Sequence, residues 1–128
     1  MDGEVDETRT AQLVREAKGM EVTFHQAFDM TRDPRQALEA VICTGCRLAF
    51  TAGCRNTAQE GIGTLHALAA QAAGRIEVMT GSGVKPSNVR LLVAAGSDAL
   101  HFSARREREG AMRFRNPRAG APAFRNTP

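Results

Sequence analysis

Apolar positions recur along this chain in two rhythms that take turns. From Glu7 to about Lys18 they fall at helical spacing, with Thr10, Leu13, Val14 and Ala17 on one side. Asp6 stands where an N-cap belongs, and Gly19 is a plausible stop. Val22-Thr-Phe-His25 then alternates, Val22 and Phe24 against Thr23 and His25, which predicts a strand that stops on a histidine. Asp33-Pro34 supplies a cap followed by a proline at the first helical position. The helix predicted from Pro34 to about Cys43 buries Ala37, Leu38, Val41 and Ile42 and ends at Gly45. Leu48–Thr51 is a short apolar run, hence a buried strand. Thr57 and Glu60 have capping-box spacing and predict a helix whose face is Ile62, Leu65, Leu68, Ala69 and Ala72, stopped by Gly74. Ile76–Met79 is a third strand and Thr80-Gly81-Ser82-Gly83 its loop. Pro86 begins a helix carrying Val89, Leu92 and Val93, with Gly96 as its stop, and Ala99–Ser103 is a fourth strand.

The order is helix, then strand and helix three times, then strand. Short buried strands alternating with helices imply an α/β fold with a parallel sheet. The strand ends repeat at roughly 25 residues, one β/α unit each. A closed eight-stranded barrel needs about 250 residues, so this chain supplies about four units of a partial TIM-type (β/α)8 barrel. Beyond Arg105 no periodic apolar face remains, and Phe-Arg-Asn occurs at both 114–116 and 124–126 among Pro, Gly and Ala. The expected organisation is a half-barrel domain over 1–104 and an arginine-rich, disordered tail over 105–128.

Charge sharpens that division. Residues 1–104 carry ten Lys+Arg and twelve Asp+Glu, a net of −2, whereas 105–128 carry seven Arg and two Glu, a net of +5, which together give the chain's +3. A nucleic-acid-binding body would carry its own basic face, so none is expected here. No apolar run approaches the ~20 residues of a membrane span, and the first residues, Met-Asp-Gly-Glu, lack the order of a signal peptide. Three cysteines, Cys43, Cys46 and Cys54, argue against a secreted disulfide framework. A cytoplasmic setting follows as the expectation.

Candidate chemistry gathers where strands end, the rim at which α/β folds bind ligands. Gly81-Ser82-Gly83 between a strand and a helix can act as an anion cradle, its N–H groups and the helix N-terminus favouring negative charge. Against this stands a glycine loop that merely turns. His101 and Ser103 share a face of the last strand and Arg105 follows, a set suited to phosphate or carboxylate. The alternative is a hydrogen-bonded interior histidine. His25 and Asp29 could form a general acid/base pair, Asp29 could orient the imidazole, or Asp29 could simply bond backbone N–H groups in its own loop. Cys43-x-x-Cys46 straddles a helix end and the next strand's start, opposite the histidines, and reads as incidental. Cys54 follows Thr51-Ala52-Gly53 on the rim, where a thiolate could take a soft metal together with His25 and His101.

Read together, Val-Thr-Phe-His-Gln-Ala-Phe-Asp-Met, Asp-Pro, Thr-Ala-Gly-Cys, Gln-Glu-Gly, Gly-Ser-Gly-Val, His-Phe-Ser-Ala-Arg and Met-Arg-Phe-Arg-Asn resemble the CutC copper-homeostasis family in order and spacing, from about Asp2 to Asn116. The resemblance implies a cytosolic TIM-type barrel, copper handling and copper-ion binding. Position by position it implies rim residues at His25, Asp29, Thr51, Gly53, Glu60, Gly81, Gly83, His101, Ser103 and Arg105. The family's usual Arg is Gln26 here, its Ser is Ala52 and its common Pro is Thr80. The resemblance covers the C-terminal half of the barrel, so a truncated or partial family member is expected.

Three functions compete. The first is copper homeostasis with copper as ligand. The second is a TIM-barrel enzyme taking a small phosphorylated or carboxylated metabolite at the rim. The third is an interaction fragment whose basic tail meets an acidic partner. An open four-stranded sheet also has two unpaired edges, which predicts self-association or pairing with a separate N-terminal half.

Overall fold

The structure, a computed structural model, describes residues 3–104. The predicted tail, Arg105 included, lies outside the described residues. Four strands, β1 (Thr23–Phe24), β2 (Leu48–Thr51), β3 (Glu77–Thr80) and β4 (Ala99–Leu100), form one sheet in the order β1-β2-β3-β4. Every neighbouring pair is parallel, with Phe24 opposite Ala49, Thr51 opposite Thr80 and Thr80 opposite Leu100. All carboxyl ends therefore share one rim, as the alternation of β and α requires.

The helices are α1 (Glu7–Glu16), α2 (Pro34–Thr44), α3 (Ile62–Ala72) and α4 (Val89–Ala94). Local chemistry fixes α2 at both ends. The Asp33 side chain accepts from the backbone N–H of Arg35 and Gln36, Pro34 opens the helix, and Gly45 closes it in the left-handed conformation. Asp6 likewise caps α1 through the Arg9 N–H.

The core lies on one side of the sheet. Ala49 and Val78 from the strands meet Ala37, Leu38 and Val41 of α2, Leu65, Leu68 and Ala72 of α3, Leu92 of α4, and Phe28. The other side carries Thr23, His25, Leu48, Phe50, Glu77, Met79, Ala99 and His101, all exposed or half-buried. Strand alternation sorts residues to the two sides by a period of two.

Several expected boundaries shift. The loop after β1 is a 3-10 turn over Gln26–Met30 that drives Phe28 into the core. The Thr57 hydroxyl does accept from the Glu60 N–H, but that bond closes a turn, and α3 starts only at Ile62 with Gly61 as its cap. Pro86 likewise opens a turn, and α4 starts at Val89. Leu13 and Val93, which helical spacing groups with apolar neighbours, are 67% and 53% exposed. Each sits on a helix with few apolar neighbours to cover it: α1 buries no residue and α4 buries Leu92 alone.

Candidate functional site: the carboxyl rim of the sheet

The β3 loop forms the floor of the rim. Gly81 passes so close to the Phe50 ring that a Cβ there would overlap it, and the Phe50 ring lies 5.1 Å from that of His101. Gly81, Phe50 and His101 thus make one corner on the uncovered side of the sheet. Ser82 and Gly83 both adopt positive φ, +70° and +69°. For a serine that conformation persists only where surroundings hold it. Three bonds do so. Gln26 donates from Nε2 to Ser82 Oγ at 2.7 Å, Ala58 N donates to the Ser82 carbonyl at 3.0 Å, and Asn88 Nδ2 donates to the Gly83 carbonyl at 2.9 Å.

Asn88 is a rim residue that no local motif marks. It is 5% exposed, accepts from the Lys85 N–H at 2.8 Å and reaches Gln59 at 3.4 Å. Its asparagine-capped turn over Lys85–Asn88 separates the glycine loop from α4. The helix is six residues long and begins beyond that turn, so the expected helix-dipole contribution to the cradle is not available. The backbone contribution remains. The N–H groups of Ser82, Gly83 and Val84 bond to no described residue.

Asp29 does something other than pair with His25. Its carboxylate accepts from the Thr51 hydroxyl at 2.5 Å and the Cys54 N–H at 2.9 Å on one oxygen, and from the Ala52 N–H at 2.8 Å on the other. Thr51 Oγ1 in turn accepts from the Gly53 N–H at 2.8 Å. Asp29 therefore clamps the loop after β2, not its own loop, and no hydrogen bond joins it to His25. His25 Nδ1 accepts from the Ala27 N–H at 2.9 Å and caps the 3-10 turn, which puts the proton of the neutral ring on Nε2. Each of the two side chains caps a backbone segment.

Thr51 and Gly53 are buried in that clamp and turn away from the uncovered side. A Cβ on Gly53 would meet the Gly61 backbone, and one on Gly61 would meet the Ala52 carbonyl, so two loops touch backbone to backbone there. Glu60 is exposed in the turn before α3. His101 and Ser103 are exposed beyond β4, and the His101 N–H donates to the Thr80 carbonyl at 2.8 Å, extending the ladder. Thr80 is occupied by Ser97, hydroxyl to hydroxyl at 2.6 Å.

The residues expected to share a metal are not assembled. Among the described residues no group of three or more His, Cys, Asp or Glu could hold an ion. His25 and His101 follow the two edge strands, three strand spacings or roughly 14 Å apart along the sheet. Burial, and then the adjacent Asp29 carboxylate, push the Cys54 thiol above its ordinary range, so it resists becoming the thiolate a soft metal needs. At the other end of the strands Cys43 is exposed and Cys46 buried, with the Thr44 hydroxyl on the Cys46 sulfur at 3.4 Å. All three cysteines are free. Cavities of about 300 Å³ and 330 Å³ are lined by none of these residues except Cys43; one lies between residues 3–7 and α2, the other between the start of α2 and α3.

The family model for the CutC family matches residues 1–106. The chain belongs to the CutC family. A CutC protein of Chromobacterium violaceum is 47% identical over 123 residues, 95% of this chain and 50% of that relative. The human protein named copper homeostasis protein cutC homolog is 40% identical over 116 residues, 90% of this chain and 42% of its own length. A crystal structure described as a CutC copper homeostasis protein from Streptococcus agalactiae superposes with a TM-score of 0.71 at 26% identity, over 78% of this chain and 50% of that one. The chain thus spans about half the length of the CutC relatives it matches. Its parallel β/α units are a TIM-like CutC arrangement. Among the described residues no helix is long and apolar enough to cross a membrane.

Proposed function

We propose that this chain serves copper homeostasis as part of a CutC-type barrel, and that the molecular event at its rim is capture of a small phosphorylated or carboxylated ligand. The name of the human relative supports the first half. The single observation that carries the second is the β3 loop, whose three successive N–H groups at Ser82, Gly83 and Val84 bond to no described residue while both neighbouring carbonyls are tied back. Neutral N–H donors, a serine hydroxyl and the exposed His101 suit an oxyanion. Copper ion itself does not fit the described donors. Copper(I) favours thiolate and thioether ligands, and the one rim thiol, Cys54, is held protonated beside a carboxylate. Copper is cargo of the whole protein in this reading.

The side of the sheet without helices and the edges of β1 and β4, which pair with no other described strand, support a further element of the reading, a polypeptide partner, either a second copy or the other half of a barrel. A reducing, cytoplasmic setting suits the free thiols.

Titration calorimetry of the purified chain with inorganic phosphate and, separately, with copper(I) tests the anion reading. Saturable phosphate binding that is weakened by His101→Ala is the expected result. Stoichiometric copper binding lost in Cys54→Ser, with no response to phosphate, would overturn it.

A further inference from the structure

We infer that Gln26 is the positioning residue of the anion loop, setting the backbone of Ser82 and Gly83 from across the sheet. The inference rests on the anion reading above and assigns a residue to it. Gln26 belongs to the turn after β1, whereas Ser82 follows β3, so their 2.7 Å bond bridges two strand ends over the intervening β2. The Gln26 side chain is itself well placed, because the turn that carries it is capped by His25 Nδ1 and anchored by the fully buried Phe28.

The geometry of the loop explains why such a tether matters. A peptide unit is planar and trans, so its N–H points opposite to its carbonyl. The Ser82 carbonyl accepts from Ala58 and the Gly83 carbonyl from Asn88. The N–H groups of Gly83 and Val84, which share those peptide planes, are thereby directed away from Ala58 and Asn88. Those two bonds fix the carbonyls but not the φ of Ser82, which lies at +70°. The Gln26 bond to the Ser82 hydroxyl is the third point that keeps the serine in that conformation. Being an uncharged amide, Gln26 aligns the loop without adding a cation to it.

The test uses the whole 128-residue chain and inorganic phosphate as probe. Gln26→Ala is expected to weaken phosphate binding about tenfold, the size of one lost tethering bond, with little change in the melting temperature without phosphate. Ser82→Ala should weaken it at least as much, because it removes the tether and the loop hydroxyl together, and the double variant should be no worse than Ser82→Ala alone, because the tether is lost only once. Backbone scalar couplings read the φ of Ser82 directly and do not depend on any ligand. They should leave the left-handed range in Gln26→Ala and stay there in Gln26→Glu, which can still accept from the Ser82 hydroxyl. Gln26→Glu should nonetheless bind phosphate more weakly than the parent at neutral pH, since its carboxylate repels the anion. An unchanged Ser82 φ in Gln26→Ala overturns the inference even if phosphate does not bind at all. Parent-like phosphate affinity in Gln26→Ala overturns it as well. Failure of the parent chain to bind phosphate, with the φ change present, rejects the anion reading and keeps Gln26 as the residue that sets the loop.

Discussion

The two sides of this sheet are made by the same strands and behave as different materials. On the helix-covered side Ala49, Thr51, Val78 and Thr80 are each at most 1% exposed. One residue along, Phe50 and Met79 are only half-buried, and His25 and His101 are exposed. A period of two separates a dry core from a surface that keeps its polar chemistry reachable. The lesson is that stability and chemistry are assigned to alternate residues of one strand, and the rim loops join them. Asp29 and Asn88 tie those loops from below, and the β3 loop presents its N–H groups above.

Substitutions should cost very different amounts on the two sides. Phe28→Ala removes a fully buried ring from the core and should destabilise by about 3–5 kcal/mol in denaturant unfolding. Met79→Ala, on the uncovered side, should cost under about 1.5 kcal/mol. Equal losses would mean that the uncovered side is packed as tightly as the core, as it would be against a partner.

The glycines sharpen the contrast. Gly61→Ala drives a methyl group into the Ala52 carbonyl, and neither loop can yield, so a loss of about 2–3 kcal/mol is expected. Gly81→Ala meets the Phe50 ring instead, a side chain on the open face that can rotate aside, and should cost about 1 kcal/mol. The ring's displacement should also change the environment of His101, visible in its imidazole resonances. A reversed order would show that the Phe50 corner is the rigid one.

The smallest effect belongs to the outer layer. Glu39 of α2 bonds Arg75 at 2.7 and 2.8 Å and Gln71 at 2.8 Å, tying α2 to the end of α3. The Arg75 guanidinium, then Gln71, hold the Glu39 carboxyl down to about 2 from 4.5. A depressed carboxyl stabilises the fold above its unfolded value and loses that contribution as pH falls towards its folded value. The melting temperature of Glu39→Gln should therefore fall less steeply than that of the parent between pH 4.5 and 2. The difference will be modest, because the pair is solvent-exposed. Parallel curves would mean the contact does not persist in solution.

Much of the scaffold is legible in local sequence. Asp33-Pro34 and Gly45 bound α2 because caps act within a few residues, and Leu48–Thr51 is a strand as its apolar run predicts. The rim residues were legible as a location but not in their roles. Asp29 reaches 22 to 25 residues ahead and Gln26 reaches 56, so nothing in their neighbourhoods reveals the partners. Thr57, Glu60 and Pro86 carry genuine start signals that are spent on turns, because Gly61 must approach Ala52 and Asn88 must hold the β3 loop before a helix can begin. Asn88, two residues after a proline, lies where the start signal places helix, and its capping role depends on Gly83 and Lys85. Strand order, which local sequence does not reveal, places His25 and His101 after opposite edge strands of the described sheet.

The most direct test of the central claim, that the carboxyl rim and not the opposite end carries the chemistry, is a backbone amide titration of the isotopically labelled chain with inorganic phosphate. The N–H signals of Ser82, Gly83 and Val84 should move together and saturate, while those of Cys43 and Cys46 at the far end of the strands stay in place. Saturating shifts centred on Cys43 and Cys46, or no localised shift at the β3 loop, would contradict the account.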